Sequence, residues 1–209
     1  MPPTLAPPAI AALRATLLRE GAVPVRGFVE RALTAAIDRA LDEDDLEEAW
    51  SACPAGAEVV DRARRLLGAM FGFVILDPFR VERTPGQPEG VPRAEIKSLW
   101  HRDNWPVTRD HASERRFFLC RPVLLLEDLD AEALGPTEYL PGTHLRARWE
   151  EPIDQARPAG VRMLGEAGDL WLMASRVVHR RAFPPADLPP DPRLRKVAWM
   201  VAKTEVAHP

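Results

Sequence analysis

Two residues with metal-binding side chains stand close together in the segment Leu99–Asn104. His101 and Asp103 are separated by one residue, and residues two apart in an extended chain project from the same face. One imidazole and one carboxylate can therefore converge on a single ion. A His-x-Asp triplet alone is a weak signal, because it arises often by chance, so the hypothesis needs a further ligand from elsewhere in the chain.

A third candidate ligand, His179, follows the apolar segment Leu170–Val178. We predict that this segment is a strand and that His179 ends it. Together with His101 and Asp103, His179 would complete a facial triad of two histidines and one carboxylate. Such a triad leaves one face of an octahedral Fe(II) ion open for a chelating cosubstrate and O₂.

The other three histidines are weaker candidates. His144 lies in a turn-like segment, where we expect a structural or supporting hydrogen bond rather than ligation. His111 lies in a charged segment and is expected to be solvated, and His208 is the second-last residue. His101, Asp103 and His179 are therefore the best candidates for metal ligands in this sequence.

The composition is that of an ordinary globular protein. The chain has 209 residues, 46% of them hydrophobic, and its 28 Lys and Arg against 31 Asp and Glu give a net charge of −3. This balance gives no reason to expect nucleic acid or a membrane as a partner, and the apolar segments are too short to span a bilayer. We find no signal peptide and no disulfide framework in the two cysteines, so we expect a cytoplasmic protein.

The elements that must position the triad change in type along the chain. Helical periodicity covers most of the first third, at Leu5–Glu20, Phe28–Leu46 and Glu58–Met70. One short strand is predicted between the first two helices, at Ala22–Val25. The remainder predicts strands separated by Gly and Pro turns, at Phe71–Leu76, Glu95–His101, Arg116–Leu126, Thr137–Leu140, Val161–Leu164, Asp169–Arg176 and Arg193–Val201. Short strands with almost no helix between them indicate a sandwich or barrel. We predict one mainly β domain, with helical support over residues 1–70 and a jelly-roll core over residues 71–209, the helices packing on one sheet.

Several of these segments resemble the phytanoyl-CoA dioxygenase-like family. Trp100–Asp103 matches the family's proximal His-x-Asp, and Gly168–His179 matches its Gly-Asp approach to the distal histidine. Gly135–His144 is similar to the family's Gly-Pro segment that ends in Pro-Gly-Ser-His, with Thr143 in place of the commoner Ser. Leu18–Phe28 resembles the family's entry from a helix into the first strand. The matches run in order over nearly the whole chain.

The resemblance implies a jelly roll of the double-stranded β-helix (cupin-like) type that holds Fe(II) in the triad and uses 2-oxoglutarate as cosubstrate. The far carboxylate of 2-oxoglutarate would need a fixed cation, and a guanidinium suits it because it donates through two N–H groups. The family places this arginine closer to the distal histidine than the proline-rich link of this chain allows. We favour Arg193, at the entrance of the last strand, with Arg195 as the close alternative and Lys97 as a further candidate.

The resemblance also implies an oxygenase that acts with O₂ on a small molecule. Halogenating relatives replace the carboxylate ligand with a small residue, so Asp103 favours hydroxylation, while desaturation and cyclisation stay open. Asn104 and Trp105, which follow the carboxylate, are candidates for substrate contact. Arg181 follows the distal histidine closely, where the family usually has Asn or Ser, and it could either contact an anionic substrate or lie in a solvated basic turn. The loops Thr84–Gly90 and Asn104–Ser113 are predicted to be mobile and to flank the mouth of the site. Natural-product biosynthesis is one setting for such an enzyme.

Two other functions stay open from the sequence. A non-catalytic protein with the same sandwich could bind a small molecule, and the altered spacing before Arg193 would then mark the loss of 2-oxoglutarate binding. A zinc hydrolase could use the same three ligands, although the sequence has no H-E-x-x-H helix and no obvious general base. Formation of succinate from 2-oxoglutarate with Fe(II) would distinguish the oxygenase from both.

Overall fold

A computed structural model describes residues 6–40, 53–72, 74–85, 99–103, 118–146, 153–156, 159–182 and 191–204. The helices in these ranges are α1 (Pro7–Glu20), α2 (Arg31–Ala40), α3 (Pro54–Phe71) and α4 (Thr143–Arg146), with a 3₁₀ turn at Glu132–Leu134. The strands are β1 (Ala22–Val25), β2 (Val74–Pro85), β3 (Phe118–Leu125), β4 (Thr137–Tyr139), β5 (Val161–Arg162), β6 (Leu170–Ala174), β7 (His179–Arg181) and β8 (Leu194–Thr204).

The strands form two antiparallel sheets that face each other. The larger sheet has the order β1-β6-β3-β8-β2, and the smaller sheet has the order β5-β4-β7. Between them lies an apolar interior to which the larger sheet contributes Val123, Trp171 and Trp199, and the smaller sheet contributes Tyr139. This arrangement is a jelly roll, which confirms the fold predicted from the sequence.

The N-terminal helices cover the outer face of the larger sheet. Leu17 of α1, Ile37 of α2 and Leu67 of α3 pack with Leu172 and Met200, which alternate along their strands with the interior side chains. Both faces of the larger sheet are therefore buried, which is why β6 is an uninterrupted apolar sequence with all five residues buried. The described helices include none with the length and apolar character needed to cross a membrane.

The structure corrects the predicted boundaries of β2. Helix α3 continues through Phe71 and ends at Gly72, whose φ of 85° stops the helix, so the strand begins at Val74 instead of Phe71. Thr84 and Pro85, which we predicted to open a mobile loop, are the last residues of β2 and pair with β8. Residues 86–98 and 104–117, which include the rest of both predicted loops and most of the strand predicted to end at His101, lie outside the described residues.

The predicted end of β6 is also wrong. β6 stops at Ala174, and a turn over residues 175–177 closes with a hydrogen bond from Val177 N to Ala174 O at 3.0 Å. His179 therefore begins β7 of the smaller sheet, whereas the sequence predicted that it ends the strand formed by the preceding apolar segment. The reversal directs the histidine into the space between the two sheets.

Gly168 lies at a close approach between two backbone segments, which predicts a large effect of a small substitution. Its φ is 96°, its carbonyl accepts a hydrogen bond from Val29 N at 3.0 Å, and a Cβ would collide with the Val29 carbonyl oxygen. Gly168→Ala is therefore expected to lower the free energy of unfolding by about 1–3 kcal/mol in urea denaturation. Gly68→Ala is the control, because a Cβ on this residue of α3 meets open space. It should raise stability by about 0.5–1 kcal/mol, and equal effects at the two sites would contradict the prediction.

Candidate metal centre

The backbone holds His101 and His179 directly opposite each other. Each backbone N–H donates to the carbonyl oxygen of the other residue at 2.9 Å, which makes an isolated antiparallel bridge. Because opposite residues of an antiparallel pair project to the same face, both imidazoles point the same way, and their ring centroids are 4.4 Å apart. The bridge attaches the segment 99–103 to the smaller sheet through β7.

Trp100 anchors this segment from its opposite face. Its indole is buried, and the guanidinium of Arg180 lies 4.2 Å from the ring centroid. The side-chain amide of Gln155 accepts a hydrogen bond from Trp100 N at 2.9 Å and donates one to Trp100 O at 3.0 Å. His101 and Asp103 are thus presented by a segment that is fixed both through its backbone and through a buried aromatic side chain.

The structure brings the three predicted ligands together. One ligand atom from each residue lies within 4.8 Å of the others. His179 Nε2 is 3.4 Å from Asp103 Oδ2, and His101 Nε2 is 4.0 Å from Asp103 Oδ1. His179 is buried, the Asp103 side chain is mostly buried and His101 is exposed, so the group opens to solvent on the side of His101.

Backbone carbonyls fix both imidazoles in the same tautomer. His101 Nδ1 lies 2.9 Å from Leu99 O, and His179 Nδ1 lies 3.0 Å from Val177 O. A carbonyl oxygen only accepts, so each Nδ1–H donates and each Nε2 keeps a lone pair. Burial lowers the pKa of His179 and keeps the ring neutral at pH 7, although the Asp103 charge opposes this shift. Lone pairs that face a carboxylate repel it unless a cation lies between them, so the donor set fits a divalent metal.

Arg195, and not Arg193, lies in the interior between the sheets. Arg195 is buried on β8; its Nη1 is 2.7 Å from Glu82 Oε2, and its Nη2 donates to Thr137 Oγ1 at 3.2 Å. Arg193 precedes the strand, is half-exposed, and forms an ion pair with Asp191, two residues earlier in the chain, at 2.8 Å. The structure therefore places the alternative candidate, and not the residue favoured from the sequence, in the interior, and the local carboxylate Asp191 keeps Arg193 at the surface.

Arg181 approaches the same place from the smaller sheet. It lies two residues after His179 on β7, and its direct partner on β4 is Thr137, whose hydroxyl is bonded to Arg195. Burial, together with the charge of Arg195, lowers the pKa of Arg181 to about 10, while Glu82 opposes the shift. Arg181 therefore stays a cation at neutral pH, and it lies beside Thr137 and not in a solvated basic turn.

Three buried polar atoms on β2 and β8 have no hydrogen-bond partner among the described residues. They are Thr84 Oγ1, Arg195 Nε and Trp199 Nε1. Thr84 and Arg195 are directly opposite on β2 and β8, and Trp199 shares the interior face of β8 with Arg195. Buried polar groups are seldom left unpaired, so these atoms fit a polar ligand that enters the space beside the triad. An organic carboxylate has the acceptor oxygens that Arg195 and the indole N–H require.

Several predicted site residues cannot be compared with the structure, and several interior residues were missed. Lys97, Asn104 and Trp105 lie outside the described residues. His144 is buried and bonds Leu18 O through Nε2 at 2.9 Å, a structural role. Four further residues in or beside the interior were not predicted from the sequence, namely Thr137, Glu82, Gln155 and Arg121. Of these, only Arg121 carries a signal in the sequence, since it is a charged residue inside an apolar strand.

No family model and no curated protein sequence matches this chain, but solved structures do. SnoN, a non-heme α-ketoglutarate-dependent epimerase from nogalamycin biosynthesis, is similar with a TM-score of 0.64 and 18% identity, over 95% of this chain and 84% of SnoN. The carbocyclase SnoK of the same biosynthesis is similar with a TM-score of 0.64 and 18% identity, over 96% of this chain and 85% of SnoK.

HygX from Streptomyces hygroscopicus, solved with iron bound, is similar with a TM-score of 0.65 and 12% identity, over 97% of this chain and 88% of HygX. HygX has also been solved with nickel and 2-oxoglutarate. None of these three proteins is named as a phytanoyl-CoA dioxygenase, so that resemblance stays a prediction from the sequence motifs. At these identities the comparison shows the fold alone: the chain has the fold shared by non-heme, α-ketoglutarate-dependent enzymes.

Proposed function

We propose that this protein is an Fe(II)- and 2-oxoglutarate-dependent oxygenase that acts on a small molecule, with His101, Asp103 and His179 as the metal ligands. The observation that carries the proposal is the pair of imidazoles whose Nδ1–H groups are bound by backbone carbonyls and whose Nε2 atoms face one carboxylate. This is the orientation that metal-ligating histidines require. When bound, Fe(II) with 2-oxoglutarate and O₂ would supply the oxidising chemistry, and succinate and CO₂ would be the products of the cosubstrate.

The residues around the triad supply the binding and orientation of the cosubstrate. Arg195 is the candidate cation for the far carboxylate, because it is buried, faces the interior and has an unpaired Nε–H among the described residues. Arg181 adds a second positive charge, and the Thr84 hydroxyl can donate to the same carboxylate. The interior apolar side chains exclude water from this space.

For the substrate we propose oxygen insertion into a small molecule, with natural-product biosynthesis as the setting, since SnoN and SnoK belong to such a biosynthesis. Asp103 supports hydroxylation over halogenation, because a carboxylate ligand fills the position that a halide ligand would need. Asn104 and Trp105 stay candidates for substrate contact on the sequence alone. SnoN is named as an epimerase and SnoK as a carbocyclase, so proteins of similar fold catalyse reactions other than oxygen insertion. The mass of the product formed with labelled O₂ would show whether oxygen is inserted.

One observation favours the non-catalytic alternative. Glu82 already occupies one edge of the Arg195 guanidinium, and a protein that had lost 2-oxoglutarate binding could retain such an ion pair. Arg181 offsets this charge, so the cluster of two arginines and one glutamate keeps a net positive charge. The two functions differ in a single assay, because a binding protein forms no succinate.

The proposal is tested by oxidation of 2-oxoglutarate in the absence of substrate. Purified protein with Fe(II), 2-oxoglutarate and O₂ is expected to form succinate slowly, and His101→Ala or removal of the metal with a chelator should abolish it. Succinate is measured directly, with Zn(II) in place of Fe(II) as the redox-inactive control. Metal binding without any succinate would overturn the enzymatic proposal in favour of a binding protein.

A further inference from the structure

Arg121 contacts a candidate metal ligand from the opposite sheet. It lies on β3, and its side chain shares the interior face of that strand with Val123 and Leu125. Its Nε lies 2.9 Å from Asp103 Oδ2, and the two side chains are only 9% and 14% exposed. The buried carboxylate thus has a counter-charge that does not depend on any metal.

The contact makes the two oxygens of Asp103 unequal. Oδ2 lies 2.9 Å from Arg121 Nε and 3.4 Å from His179 Nε2, whereas Oδ1 lies 4.0 Å from His101 Nε2. The contact is an ion pair, since Oδ2 has no aligned hydrogen-bond donor among the described residues. A divalent ion on Oδ2 would be brought close to the guanidinium, and the repulsion between two buried cations is strong. An ion on Oδ1 avoids this repulsion.

We propose that Arg121 is a positioning residue that keeps Asp103 a one-oxygen ligand, with Oδ1 toward the metal and Oδ2 held by the guanidinium. This inference rests on the proposed function. Carboxylates bind metals through one or both oxygens, and nothing in the carboxylate itself decides which. In an octahedral ion, two histidines and a one-oxygen Asp leave three positions, whereas a chelating Asp leaves only two.

The difference matters because a chelating 2-oxo acid needs two positions. With a one-oxygen Asp103, a third position stays free for a small ligand after the cosubstrate binds. With a chelating Asp103, the cosubstrate would fill every remaining position. Arg121 therefore determines whether a further ligand can reach the metal.

The experiment uses nitric oxide as a neutral small ligand, so that loss of the Arg121 charge does not by itself change its attraction to the site. Nitric oxide affinity is measured spectroscopically on the anaerobic complex with Fe(II) and 2-oxoglutarate. Arg121→Met and Arg121→Gln are expected to weaken nitric oxide binding about tenfold or more. Fe(II) affinity is expected to be unchanged or higher, because a buried cation beside the metal ligand has been removed. Arg121→Lys restores the charge and is expected to restore most of the nitric oxide affinity.

Arg83→Met is the matched control. Arg83 pairs with Asp38 at 3.0 Å, and its side chain is 13% exposed, so it is a mostly buried ion pair away from the triad. This variant is expected to change stability but not nitric oxide binding. The proposal is overturned if Arg121→Met or Arg121→Gln binds Fe(II) and nitric oxide like the wild type. It is also overturned if Fe(II) affinity falls in parallel, or if neither neutral variant folds, since Arg121 would then be a structural residue. A wild-type protein that binds no Fe(II) would instead overturn the proposed function.

Discussion

His179→Ala is expected to abolish both the retention of Fe(II) and the formation of succinate. His179 is the buried member of the triad, and its Nε2 is 3.4 Å from the Asp103 carboxylate. Loss of a residue that merely orients a ligand typically weakens metal binding by about 10–100-fold. Loss of the ligand itself should weaken it by more than this, and the measurement is metal content after dialysis together with a titration by Co(II).

A second buried histidine separates loss of metal from loss of the fold. His144 bonds Leu18 O and lies outside the triad. His144→Asn should lower the melting temperature but leave the metal content unchanged. If His179→Ala binds metal as tightly as the wild type, the triad does not form the metal site. If both variants lose metal equally, the loss comes from unfolding.

Period-two alternation predicted part of this site from the sequence. It placed His101 and Asp103 on one face of an extended segment, and the structure brings their side chains to a common point. It did not place His179 on the right strand. The turn before His179, Ser175-Arg176-Val177, contains neither Gly nor Pro, so the usual signal for a chain reversal is missing and the apolar segment reads as one long strand.

The fold class could also be predicted from periodicity in the sequence. The helices carry 3.6-residue periodicity, and the strands are short and bounded by turn residues, so an assembly of helices on a β sandwich follows from local patterns. The contacts between sheets are not local. Thr137 bonds Arg195, and Gln155 bonds both backbone groups of Trp100, and no periodicity in one segment indicates which residue of another will meet it.

Local sequence patterns could not decide between Arg193 and Arg195. The two residues are two apart, so alternation gives them the same face and cannot rank them. What separates them is the position of the nearest carboxylates. Asp191, two residues away in the chain, retains Arg193 at the surface, whereas Glu82, on a neighbouring strand, pairs with Arg195 in the interior.

Arg195→Met is accordingly expected to weaken 2-oxoglutarate binding far more than Arg193→Met. Removal of one partner from a buried charge pair costs about 2–5 kcal/mol, which corresponds to a loss of affinity of about 30-fold or more. The dissociation constant is measured on the Co(II)-loaded protein, so that the result does not depend on turnover. Arg193→Met removes the same type of side chain from a half-exposed ion pair, which contributes about 0–1 kcal/mol to stability, and it should change the affinity by less than about threefold.

A third variant, at Glu82, extends the comparison of Arg195→Met with Arg193→Met. Glu82→Gln removes the negative charge that competes for Arg195 while leaving the guanidinium and Thr137 in place. If Arg195 is the cation for the cosubstrate, this variant should bind 2-oxoglutarate at least as tightly as the wild type, because a competing carboxylate has been removed from the site. If Glu82 instead serves to orient Arg195, affinity should fall in Glu82→Gln and in Arg195→Met alike. A larger effect of Arg193→Met than of Arg195→Met would restore the order favoured from the sequence and would mean that the interior arginine serves the fold rather than the cosubstrate.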